Sequence, residues 1–129
     1  MPDVQQIRLD PDPLEAYALS QGFRVGDLVI VSGQAALDEQ GRIVGPGDFD
    51  AQAEQTFRNL ARVLEAGGSS LERIVKVTIF LTDIDDRPKI NPLRQEAFGA
   101  TRPASTLVEV PRLAVPGAKV EIECIALVP

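Results

Sequence analysis

The chain has 129 residues, 44% of them hydrophobic and 25% charged, with a formal net charge of −6, one cysteine and no histidine. This is one domain of ordinary size with enough apolar material for a core, and no apolar run approaches the roughly 20 residues of a membrane helix. An acidic chain without a basic stripe is a poor partner for nucleic-acid phosphates, and the missing histidine excludes a histidine-based ribonuclease or hydrolase and removes the commonest metal ligand.

In chain order, residues 5–9 (QQIRL) read as a short first strand before the turn signal DPDP. Residues 18–25 and 27–33 alternate about Gly26-Asp27, a two-residue hairpin signal. Residues 38–48 read as an irregular connection with a short strand at 42–44. A first helix is predicted over 51–66, where Ala53, Phe57, Leu60, Ala61 and Leu64 fall on one apolar stripe. Asp50 is its expected N-cap, and Gly67-Gly68 its left-handed stop. The β-branched run 74–83 is predicted as a strand with Val75, Val77, Ile79 and Leu81 on one face and Ile74, Lys76, Thr78 and Phe80 on the other. A second helix begins at 88 or 91 and ends at 98, before Gly99; Asn91 as N-cap with Pro92 at the first helical position suits its start. Strands over 104–110 and 119–128 close the chain on either side of the turn-rich PRLAVPGA.

This order is α+β: a mixed sheet whose two helices can cover one face. The last strand is apolar on both sides, with Val120, Ile122, Cys124, Ala126 and Val128 on one and Ile125 and Leu127 beside the glutamates on the other. An uncovered apolar sheet face invites association, so an obligate oligomer is expected. The polar start MPDVQQIRLD lacks the apolar stretch of a secretory signal. A lone cysteine cannot form an internal disulfide, which suits the cytoplasm.

Four words in order carry a family resemblance: PLEAY followed by QG, VSGQ at 31–34, VKVTIFLTD with the Asn91 helix after it, and RPA…VEV followed by KVEIECIAL. With that spacing, residues 11–129 resemble the RidA/YjgF family of imine and enamine deaminases. The resemblance implies a single RidA-like, chorismate-mutase-like domain over 1–129, assembled as a homotrimer with small-molecule clefts between subunits. It implies no cofactor and no metal.

It also implies the site. Glu121, first glutamate of the KxExE run, corresponds to the group that orients water against the imine carbon, and such hydrolysis needs a water aimed at carbon and a proton for the departing amine. Tyr17 falls at an aromatic wall of the cleft, Ser32 at a hydroxyl near the bound acid, Gly33 at a close backbone approach and Asn91 at a polar residue reaching the cleft. Each has a plainer reading: a packing tyrosine, a hydroxyl satisfied within the sheet, a strand-end glycine, a helix cap, and for Glu121 an ion pair with Lys119 or Arg112. Glu123 is read as structural, and Cys124 as a small buried hydrophobe. The departure is Ser105, where relatives carry an arginine that grips the substrate carboxylate, with Leu107 in place of a cysteine. A serine hydroxyl offers one neutral donor where a guanidinium offers a fork, a loss of about 2–5 kcal/mol by analogy with buried charge pairs. Arg102, and Arg24 or Arg112 of a neighbouring chain, are the candidates to replace it. Three readings follow: a deaminase with altered substrate choice, a non-catalytic binding or regulatory trimer, or the endoribonuclease and translation inhibitor long associated with the family, which charge and composition oppose.

Overall fold

The computed structural model describes residues 3–129. Six strands, β1 (Val4–Ile7), β2 (Gly22–Val25), β3 (Leu28–Gln34), β4 (Ile74–Leu81), β5 (Ala104–Glu109) and β6 (Val120–Leu127), and two helices, α1 (Phe49–Ala66) and α2 (Arg87–Phe98), appear in α+β order. The sheet runs β1-β2-β3-β6-β4-β5. Only β4 and β5 are parallel. The late strand β6 therefore sits at the centre, between β3 and β4.

Both helices lie on one face. Phe57, Leu60, Val63 and Leu64 of α1 pack with Val29 and Val31 of β3, Val77 and Ile79 of β4, and Ile122 and Cys124 of β6. Gln52, Thr56 and Asn59 are buried on the same helix. Asn59 donates to the Ala35 and Leu37 carbonyls, each at 2.9 Å. Gln52 donates to the Gly45 and Gly117 carbonyls and accepts from the Lys119 N–H at 2.8 Å. These amides pair with partly buried loop backbone, and they tie the 35–48 and 114–119 segments to the core.

Several boundaries differ from the sequence reading for local reasons. Asp48, not Asp50, caps α1, because its carboxylate accepts from the Ala51 N–H at 3.1 Å. Gly67 closes α1 in a right-handed conformation, and the left-handed residue is Gly68 at φ +85°. The short strand expected at 42–44 is a single bridge between Leu37 and Ile43. In β4, a register shift between Ile74 and Lys76 turns Ile74 into the core and leaves Val75 exposed, the reverse of simple alternation. Asn91 does not cap α2, which starts at Arg87 and carries Pro92 in its interior. Ile90 is fully buried, and anchoring it draws the first turn four residues earlier.

The Gly26-Asp27 hairpin is as expected, with Gly26 at φ +58° and Val25 opposite Leu28. Within that hairpin, a methyl group on Gly22 would lie 2.3 Å from the Ile30 carbonyl oxygen. Gly22→Ala is expected to lower stability by about 1–3 kcal/mol, the range for overpacking. Thermal unfolding checks this, and an unchanged midpoint would contradict it.

The opposite face carries no helix among the described residues. Phe23, Leu28, Ile30 and Leu127 present an apolar patch there, each 38–44% exposed. Strand register adds Ile125, Glu123 and Glu121 from β6 and Thr78 and Phe80 from β4 to the same face.

Candidate functional site

Glu121 lies between Val120 and Ile122, both fully buried in the core, so alternation turns its side chain to the helix-free face beside Phe80. The register of β3 against β6 shifts between Val31 and Gln34. Gly33 sits in that irregularity, and a methyl group there would come within 2.6 Å of Glu121 Oε2. The close approach that requires glycine is thus made by Glu121 itself. The carboxyl is held above the usual carboxylate range, first by loss of hydration and then by Glu123 on the same face. None of the ion pairs among the described residues includes it, so the Lys119 or Arg112 pairing is not formed within the chain. An unpaired carboxyl with a raised pKa can take a proton from water and return it to a leaving group.

The two VSGQ and QG glutamines prove structural. Gln34 Nε2 donates to Gln21 Oε1 at 3.0 Å, and Gln21 Nε2 to Asp12 Oδ1 at 2.8 Å. Ser32 Oγ donates to the Ser20 carbonyl at 2.6 Å, and the Ser32 N–H to that of Gln21 at 2.9 Å. Ser32 therefore spends its proton inside the fold and can offer a ligand only an acceptor. Together these bonds moor the 12–21 segment to β3. That segment presents Tyr17 on a short 3-10 turn, Glu15–Tyr17, with the residue 72% exposed, which excludes a packing role within the chain. Next to Glu121, the same segment walls a recess of about 110 Å³, with Leu9, Leu19, Gln21 and Gly33 in its lining. Ligand pockets usually span roughly 300–1,000 Å³, so this recess is only part of one.

The other expected residues gather elsewhere. Ser105 pairs with Val77 and Leu107 with Ile79, so both point to the helix side of β5, where Leu107 packs on the edge of the core. Asn91 is exposed on α2 above them. Ser105 and Glu121 are thus two strands apart and on opposite faces of the sheet. No ligand of metabolite size touches both in a single chain. Within the chain, Arg24 bonds the Gly26 carbonyl at 3.3 Å on β2, and Arg102 and Arg112 are exposed beyond either end of β5. The guanidinium at Ser105 belongs to Arg94 of α2, whose Nη1 donates to Ser105 Oγ at 2.9 Å. Sequence reasoning missed it because the pairing joins a helix to a strand edge. Cys124 is buried, and that burial pushes its thiol up to about 12, with Glu123 adding to the effect, so it is no nucleophile.

Residues 9–128 match the family model described as Endoribonuclease L-PSP. Among similar proteins, "Protein mmf2, mitochondrial" of Schizosaccharomyces pombe is 46% identical over 109 residues, 83% of this chain and 85% of that one. A protein of Dermatophagoides farinae named 2-iminobutanoate/2-iminopropanoate deaminase is 36% identical over 120 residues, 93% of this chain and 91% of that one. The crystal structure of the YjgF gene product of E. coli superposes with a TM-score of 0.84 at 34% identity, over 95% of this chain and 98% of that one.

Proposed function

Because the chain belongs to the endoribonuclease L-PSP family, that of the RidA and YjgF proteins, we propose that it hydrolyses small imine or enamine metabolites to the carbonyl compound and ammonia. The observation that carries this reading is Glu121: unpaired, half-buried, raised in pKa and seated over Gly33. Water attacks the imine carbon as Glu121 takes its proton. Glu121 then protonates the nitrogen of the tetrahedral adduct and relays the adduct's hydroxyl proton to the same nitrogen, so that the C–N bond breaks and ammonia leaves as the carbonyl forms. Water is the only co-reactant, so the chemistry asks for no metal and no cofactor. The name of the mite relative supports the same reaction class.

The opposite placement of Glu121 and Ser105 supports a site shared between copies, and the uncovered apolar face supports a homotrimer in which one chain supplies Glu121, Gly33, Ser32 and Tyr17 and its neighbour Ser105, Leu107 and Asn91. Tyr17, with most of its surface exposed, then covers the ligand. RNA cleavage forms no part of this proposal, given the net charge of −6 and the missing histidine. No helix among the described residues is long and apolar enough to cross a membrane, and the single buried cysteine fits a reducing compartment, for which we propose the cytoplasm.

The test is ammonia release from 2-iminobutanoate generated in situ by an amino-acid oxidase, with the uncatalysed rate subtracted. Acceleration is expected. Silence, with 2-oxobutanoate still bound, would instead establish the non-catalytic binding trimer.

A further inference from the structure

We propose that Arg94 is the anion receptor of this chain, delivered from α2, and that with Leu107 it selects small acids carrying an apolar side chain. The proposal rests on the cleft reading above and adds to it the group that recognises the ligand.

Arg94 is held by neutral partners. One guanidinium nitrogen donates to Ser105 Oγ at 2.9 Å, and the guanidinium carbon lies 5.9 Å from the centre of the Phe98 ring. The chain has 19 acidic side chains against 13 basic ones, yet none of the ion pairs among the described residues includes Arg94. A guanidinium has five N–H donors and no acceptor, and only one of them is used among the described residues. Ser105 accepts that bond and makes no other side-chain hydrogen bond among the described residues, so its own O–H is free to point outward. Two donors, one of them charged, are thus set side by side without an acceptor. That is a receptor for a carboxylate.

Ser105 offers only one neutral donor of its own. The cation at this position comes from the helix rather than from the strand. The hydroxyl takes a second role, since its lone pair aims the guanidinium. Leu107 lies two residues along the same face of β5, half-buried against the core, and gives the receptor an apolar floor. Asn91 stands one turn before Arg94 on the same flank of α2 and adds an amide.

Binding of 2-oxobutanoate and of its neutral counterpart 2-oxobutanamide to the full chain, measured by NMR titration, tests this. Arg94→Ala is expected to weaken the acid about 10- to 150-fold, the value of a hydrogen bond to a charged group, and to leave the amide unchanged. Ser105→Ala weakens the acid less. Arg94→Ala combined with Ser105→Arg restores acid binding, because the guanidinium then comes from the strand; this rescue also guards against an Arg94→Ala chain that is merely misfolded. Equal acid affinity in wild type and Arg94→Ala overturns the proposal. Wild type that binds the amide but not the acid overturns it too, while leaving the cleft intact. Wild type that binds neither probe and hydrolyses no imine removes the cleft reading and this proposal with it.

Discussion

Glu121→Gln should slow imine hydrolysis by about 10²–10⁴-fold, the usual contribution of a positioned acid–base group. Glutamine keeps the size and the contact with Gly33 but can neither take the proton of water nor return it to nitrogen. Affinity for 2-oxobutanoate should hold, since recognition is assigned to Arg94 and Ser105 on the other face. Mixed assemblies sharpen the test. Co-refolding Glu121→Gln with Arg94→Ala chains should recover part of the activity, because some interfaces then pair an intact Glu121 with an intact Arg94. Full activity in Glu121→Gln would sink the mechanism.

The same substitution has a pH signature. The Glu121 carboxyl is raised in the folded chain, so between the ordinary carboxylate range and that raised value the folded state binds more protons than the unfolded state. Stability contributed by this group therefore falls as pH rises through that window. Glu121→Gln removes the penalty. The variant should unfold at or above the wild-type temperature at neutral pH, with the difference closing as pH is lowered below the carboxylate range. A gap that widens on acidification would mean that Glu121 is stabilised in its charged form instead.

The second large effect is expected on the helix-free face. Ile30 is 44% exposed, opposite Phe23 on one neighbouring strand and Ile125 on the other. If copies of the chain pack there, Ile30→Lys buries an unpaired charge at the contact, which costs about 3–5 kcal/mol, or roughly a hundredfold to several thousandfold in the association constant. Sedimentation should show a trimer for wild type and a monomer for the variant. The monomer should stay folded, because Ile30 takes no part in the helix-side core. Imine hydrolysis should vanish with the assembly, since the proposed site takes residues from two copies. A wild-type chain that sediments as a monomer would remove the shared site altogether.

What was readable in the sequence follows from the range of the interactions involved. The Gly26-Asp27 turn, the apolar period of α1 and the alternation of β6 are written in neighbouring residues, and they appear where expected. Of the two expected starts of α2, the earlier lies within one residue of the observed Arg87, because Ile90 is buried by contacts from distant elements, which override the local preference of Asn91 and Pro92 for the later one. The reversal of Ile74 and Val75 depends on a register shift that no alternation pattern announces. The partner of Gly33 and the guanidinium at Ser105 are tertiary facts: one joins β3 to β6, separated by more than eighty residues, and the other joins a helix to an edge strand. The glutamines of QG and VSGQ were legible as words but not as each other's partners.

Placing Glu121 and Ser105 on opposite faces of one sheet has a consequence for how such a chain can change over time. The carboxylate proposed to handle water is framed by β3 and β6, the groups proposed to meet the ligand's acid by β5 and α2, and the two sets share no hydrogen bond among the described residues. A substitution on one side leaves the geometry of the other untouched. Ligand choice and hydrolytic chemistry can therefore drift independently.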